Sequence, residues 1–529
     1  MKKFFSLLLS GLLWTAVQAQ TERVFVVTDR TAYLSGDRVW CSLFCLDENG
    51  RLSGQSAVSY LELISADGTA EETKIGLLNG RGSGEFTLPA QLPTGNYRLV
   101  AYTALEGGKN ALGGSRLLSV FNPFSVARVK GGVIFEEAPA PETQERKEGL
   151  EIGVPRRVRA GDSFAVIING AASDVALSVY HADGLEQVPV TRLKSWVKDT
   201  FPVSGESGGQ SEYDGEVIHG KAYGAPVGSA AILSSAGSSD DTYFSMVQQD
   251  ESINFPTGNI YGDRELVCVV PAADEKVRIR LESPFVHPSD PDIPALYLHE
   301  SQYGALVSRK NSLSVLYAAD TLYTFLPRRE DLLLSGVSWE RYHLDDYNRF
   351  PSIQEIIVEI LPTVRLRRGA IEVLVTDGTN TVRNFKDRVL VMMDGVVIPD
   401  FSLLMNLDAM LLDDVYVCTE PFVSGYISYN GIVNFVSKKN YVTALNFPEN
   451  VYVLDFKGVR YPVAYLGAVP GGRDVRQLLY WHPSLQIKEG QTQRLPLTAP
   501  DYAGRFYIVA EGLSEEGEPV SAAAYFDVN

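Results

Sequence analysis

Apolar and polar residues alternate along short stretches through most of the chain, which is the period of half-buried strands. Residues 23–28 predict a strand, 29–37 a turn, and 39–45 a strand whose side chains point alternately inward and outward. Residues 60–64, 84–88 and 97–102 continue the series, with Gly36 and Gly95 at tight reversals. Residues 176–180, 504–509 and 522–528 read as further strands, the last two on either side of a Glu515-Glu516-Gly517 turn. One segment breaks this period. Ser352 and Glu355 form a capping box, Ile353, Ile356, Ile357, Ile360 and Leu361 share one helical face, and Pro362 stops the helix. After it, 389–398 predicts an apolar strand ending in an Asp394-Gly395 turn, and 402–412 has helix-like spacing. A short strand over 414–418 follows, and 428–439 turns at Asn430-Gly431 into a third strand.

These stretches carry resemblances. Thr31-Ala32-Tyr33-Leu34-Ser35-Gly36-Asp37, a strand, then Leu92-Pro93-Thr94-Gly95-Asn96-Tyr97-Arg98-Leu99 resemble the second macroglobulin-like (MG2-type) domain of bacterial α2-macroglobulin relatives. Val158 to Phe164 repeats the Gly-Asp turn of the first sandwich. Glu216-Val217-Ile218-His219-Gly220, running through Pro226 to Ile232, resembles the start of a carboxypeptidase-regulatory-like sandwich, a fold name that implies no peptidase. Residues 350–440 resemble the plug domain of TonB-dependent outer-membrane receptors. In such receptors a 22-stranded barrel follows the plug, and at roughly 10 residues per strand it takes several hundred residues. Residues 441–529 are expected not to build one, so the plug-like unit is expected to do something other than gate its own pore. The order of units resembles a family of exported Bacteroidota proteins.

The expected organisation is a signal peptide over 1–19, a macroglobulin-like β-sandwich over 20–125 and a linker over 126–149. A second macroglobulin-like sandwich is expected over 150–200, with 263–335 as the candidate to complete it. A carboxypeptidase-regulatory-like sandwich with a Gly/Ser-rich loop covers 212–262, a plug-like α+β domain 347–440, and a C-terminal β-rich domain 441–529. The expected fold class is mainly β: several Ig-like or macroglobulin-like β-sandwiches plus a small α+β plug-like domain.

Lys2 and Lys3, the apolar stretch 4–17 and Val17-Gln18-Ala19 form a secretory signal, with cleavage expected after Ala19. No later stretch approaches 18 apolar residues, so no helical membrane span is expected in the mature chain. The formal net charge of −18 argues against a phosphate backbone as partner. Cys41 and Cys45 lie four apart in one predicted strand, about 13 Å at strand rise, which is too far for a disulfide. Cys268 and Cys418 read as small apolar residues in strands.

No catalytic constellation is legible. The six histidines make no HxH or HExxH, and His299-Glu300 lacks the second histidine of a zinc protease. The carboxylate pairs Asp290/Asp292, Asp345/Asp346 and Asp413/Asp414 follow no calcium loop. Cys418-Thr419-Glu420-Pro421 lacks the Gly and Gln of a macroglobulin thioester. The expectation is therefore no catalytic, cofactor or metal residues. Asp394, Gly395, Asn430 and Gly431 stand as candidate partner-contact turns, weighed against a purely structural role in the hairpins. The expected function is a non-enzymatic, outer-membrane-associated interaction or scaffold protein, a subunit of a transport, export or barrel-assembly complex. Its partner would be an outer-membrane β-barrel protein or a sibling surface subunit, at the cell surface or the periplasmic face. The alternatives are a glycan- or peptide-capturing accessory of a nutrient transporter and a secreted adhesin.

Overall fold

The period-two stretches become strands in the computed structural model, which describes residues 21–107, 112–124, 133–137, 145–171, 173–203, 209–271, 276–290, 292–318, 323–325, 334, 336–376, 383–467 and 472–529. The expected signal peptide over 1–19 lies outside these residues. The protein is mainly β, as expected.

The first sandwich is an eight-stranded sheet folded over on itself, with Glu22–Thr28 and Arg38–Asp47 on one side and Val58–Ser65, Gly95–Tyr102 and Arg116–Phe121 on the other. Gly68–Leu78 crosses from one side to the other. Val39, Cys41, Leu43 and Cys45 face the core between the two halves. The alternate residues Trp40, Phe44 and Leu46 are buried as well, in a different cluster. Arg38–Asp47 is thus covered on both faces, and the reason is a second sandwich packed against its outer side.

That second sandwich is assembled from distant parts of the chain. Ser173–Ala182 lies between Leu478–Ile487 and Gly504–Ser514, and Pro519–Val528 continues the sheet to Arg146–Glu148. The facing sheet is Leu150–Gly153, Ser163–Gly170 and Gln493–Thr498. Three expected boundaries are corrected here. The second sandwich is completed by 478–528 and not by 263–335, whose strands pair elsewhere. Residues 441–529 are not a domain of their own. The segment 126–149 is not wholly a linker, because Val133–Ile134 and Arg146–Glu148 are strands in sheets. Period-two patterning marks which residues face a core, and it does not name the strand that will pair.

A third sandwich sets Ser252–Pro256, Val217–Tyr223 and Arg278–Leu281 against Ser238–Met246, Ala230–Ser235, Arg264–Val269 and Tyr452–Phe456. It too recruits a strand from beyond residue 440. It therefore extends past the 212–262 expected.

The α+β unit follows the predicted elements closely. Helix Ile353–Glu359 carries the capping box, with Ser352 accepting from Glu355 N and the Glu355 side chain reaching back to Ser352. The predicted helix over 402–412 is a short helix, Ser402–Met405, and a 3-10 turn, Ala409–Leu411. The five-stranded sheet runs Glu340–His343, Leu412–Cys418, Ile432–Ser437, Leu390–Met393, Val396–Val397, with the Leu390–Met393 and Ile432–Ser437 pair parallel. Ile353, Ile356 and Ile357 enter a core that also holds Ile232, Val267 and Val269 of the third sandwich. Each such burial contributes about 1.5–3 kcal/mol. The α+β unit and the third sandwich thus share one hydrophobic core.

Candidate interaction surface

Two turns place the four candidate residues. Leu390–Met393 and Val396–Val397 form a tight hairpin in which Asp394 has φ 49° and Gly395 φ 83°. Positive φ at both central residues matches the twist of the strands, and Asp-Gly suits it. Asp394 is only 3% exposed. Its carboxylate accepts from Ser437 N and Ser437 Oγ, both at 2.6 Å, and from Val442 N at 3.1 Å. Its carbonyl accepts from Gly237 N at 2.8 Å, on a turn of the third sandwich. Gly395 N donates to Asn434 Oδ1 at 3.4 Å, and Val397 N to Ser234 Oγ at 3.2 Å.

The Asp394-Gly395 turn is therefore an internal seam and not an outward contact loop. The carboxylate needs burial to gather three donors, and the neighbouring sandwich supplies the cover. Asn430 is also committed internally: its N donates to Arg388 O at 2.9 Å and its Nδ2 to Asp387 O at 2.7 Å. Gly431 sits at φ 156°, and a Cβ there would lie 2.7 Å from Cys418 O and 3.1 Å from Val373 Cγ1. It is glycine because strand Leu412–Cys418 passes too close for a side chain.

An outward feature of this unit lies apart from the four candidate residues. Phe422–Ser424 and Ile427–Tyr429 form a small hairpin turning at Gly425 and Tyr426. Tyr426 is 94% exposed and Val423 is 64% exposed. The base is fixed. Ile427 and Tyr429 lie in the shared core, and the Phe422 ring packs 5.5 Å from Phe244 of the third sandwich. An apolar tip on a fixed base costs little ordering on association. The Ser424-Gly425 dipeptide is the sequence signal for this turn.

One member of each acidic pair is matched by a cation. Asp414 accepts from Arg341 Nε and Nη2, both at 3.0 Å, and lies 2.9 Å from His343 Nδ1, which holds that imidazole above its usual range. Arg98 pairs with Asp290, and Arg349 with Asp345. His299 caps a 3-10 turn by accepting from Ser301 N. All four cysteines are free, and burial pushes each thiol up, away from the reactive thiolate. Among the described residues no helix is long and apolar enough to cross a membrane.

Residues 23–115, almost all of the first sandwich, match the MG2 domain. Salmonella α2-macroglobulin reacted with methylamine aligns over 97% of this chain and 40% of its own, at 11% identity and a TM-score of 0.25. Escherichia coli α2-macroglobulin activated by porcine elastase aligns over 96% and 53%, at 11% identity and a TM-score of 0.16. The chain thus spans 40% and 53% of those two proteins, and likeness this distant carries no argument about activity. No curated protein matches the chain. Fold and match together define a mainly β protein with a macroglobulin-like β-sandwich, a non-catalytic type of domain.

Proposed function

We propose that this chain is an exported, non-enzymatic Bacteroidota scaffold of the outer membrane, working as a subunit of a transport, export or barrel-assembly complex. Residues 347–440 act as a plug-like docking unit and contact an outer-membrane β-barrel protein or a sibling surface subunit. The three sandwiches, the third of them carboxypeptidase-regulatory-like, hold that unit at a fixed distance and angle.

The observation that carries this reading is the Phe422–Ser424/Ile427–Tyr429 hairpin, with Tyr426 94% exposed above a base locked into the shared core. A lone exposed apolar residue is ordinary, whereas an aromatic tip with an immobilised base is the form of an interface anchor. The MG2 match supports the non-catalytic part. The resemblance of 350–440 to receptor plugs supports the choice of partner.

A photo-crosslinking amino acid at position 426, activated in intact cells, tests it. One dominant adduct with an outer-membrane protein is expected. Adducts spread over many soluble proteins would contradict it.

A further inference from the structure

A cavity of about 460 Å3 lies between the first and second sandwiches. That volume is within the range of small-ligand sites. Its walls come from strands Ser173–Ala182, Leu478–Ile487 and Gly504–Ser514 of one sandwich, the 27–31 bend of the other, and the crossing segment 186–192. Val27, Val188 and Val509 make it partly apolar, and the Tyr180 and Tyr507 rings lie 6.1 Å apart along it.

The charges around this space are unevenly paired, with Arg309 holding Asp183 as well as Glu186. Arg30 pairs with Asp29 at 2.7 Å and Asp37 at 3.1 Å, Arg116 with Glu511 at 3.4 Å, and Glu186 with Arg309 at 3.2 Å. Glu511 is fully used, since its other oxygen accepts from Leu193 N at 2.6 Å. Two further lining cations, Arg146 and Arg192, have no carboxylate partner among the described residues. They stand in a chain of formal net charge −18. In such a chain uncommitted cations beside a cavity are conspicuous.

The unpaired N–H groups point the same way. Arg116 Nε, Arg146 Nε and Trp481 Nε1 are buried N–H groups with no acceptor among the described residues, and Arg116 and Trp481 are each 3% exposed. Buried donors are nearly always satisfied. All three can only donate, so what is missing is an acceptor. A carboxylate supplies two acceptor oxygens and one negative charge, and arginine binds it best.

We propose that this cavity binds a small ligand through its carboxylate, with Arg146 and Trp481 as the recognition residues. Arg192 adds charge at the rim, and the tyrosine and valine walls receive the apolar part of the ligand. Nothing in the scaffold role requires such a site.

The test titrates the full exported chain with trialanine and with trialanine amide, read by calorimetry and tryptophan fluorescence. Trialanine should bind saturably, and the amide at least about tenfold more weakly. Arg146→Gln should weaken trialanine by roughly tenfold while leaving the melting temperature unchanged, because Arg146 has no ion pair among the described residues. Trp481→Phe keeps the ring, removes only the N–H, and should weaken it by a factor of about five. Equal binding of acid and amide, absence of saturable binding, or unchanged affinity in both variants would overturn the proposal.

Discussion

Lys74 Nζ lies 2.8 Å from both carboxylate oxygens of Glu216, and the two side chains, 1% and 2% exposed, join the first sandwich to the third. The ammonium also sits 3.9 Å over the Phe456 ring. Burial pushes Lys74 down and Glu216 up, against the attraction each feels from the other. Removing one partner strands the other in an aromatic pocket. Lys74→Met and Glu216→Leu should each cost about 3–5 kcal/mol in denaturant unfolding, and the double variant should recover most of it. Additive losses in the double variant would show that the pair does not act as a unit.

Beside this pair, Glu212 accepts from Tyr60 Oη at 3.0 Å and from Val217 N at 2.9 Å, and burial pushes its carboxyl up to about 7. Glu106 is pushed up to about 8, also by burial. The folded chain holds these protons to higher pH than the unfolded chain does. Their contribution to stability is complete below about 4.5, falls as pH rises, and is gone above about 7 to 8. Glu212→Gln should flatten the decline between pH 4.5 and 7 by on the order of 1–3 kcal/mol. Urea midpoints across that range decide it, and an unchanged slope would mean that the carboxyl ionises normally.

Ile357 is 1% exposed, in the core shared by the α+β unit and the third sandwich. Ile357→Asp buries an unpaired charge there. It should expose the Asp394–Gly237 seam and make 340–437 the first region cut in limited proteolysis, with the first sandwich still protected. A cleavage pattern like that of the unmodified chain would contradict this packing.

The sequence period was enough to place strands, the capped helix and the hairpin turns of the α+β unit. Ser352 and Glu355, spaced for a capping box, make one. What the period does not carry is partnership. Ser173–Ala182 has the same alternation whether it pairs with a nearby strand or with Gly504–Ser514, more than three hundred residues away. Both faces of Arg38–Asp47 are buried, and only the second sandwich explains that. Asp394 was legible as a turn residue, but its burial depends on Gly237, which belongs to another unit. Tyr426 was missed because one tyrosine in a Tyr-rich chain carries no mark of exposure.

The interleaved chain has its own consequence. Ending it at residue 440 removes Leu478–Ile487, Gln493–Thr498, Gly504–Ser514 and Pro519–Val528 from the second sandwich and Tyr452–Phe456 from the third. A 21–440 chain should not fold as the full chain less one domain. Hydrogen exchange should show 146–182 unprotected in it, with open edges prone to aggregation. Protection there equal to the full chain would refute the strand order.

The proposed docking role places the partner contact at the 422–429 hairpin. The direct measurement is quantitative recovery of partner proteins with the tagged chain from solubilised outer membranes, comparing the unmodified chain, Val423→Ser/Tyr426→Ser, and Leu78→Ser. Leu78 is 77% exposed on the first sandwich and serves as the control. A membrane partner should be recovered equally by the unmodified chain and the control, and reduced by roughly tenfold or more with the hairpin variant. Undiminished recovery with the hairpin variant, or no membrane partner with the unmodified chain, would contradict it.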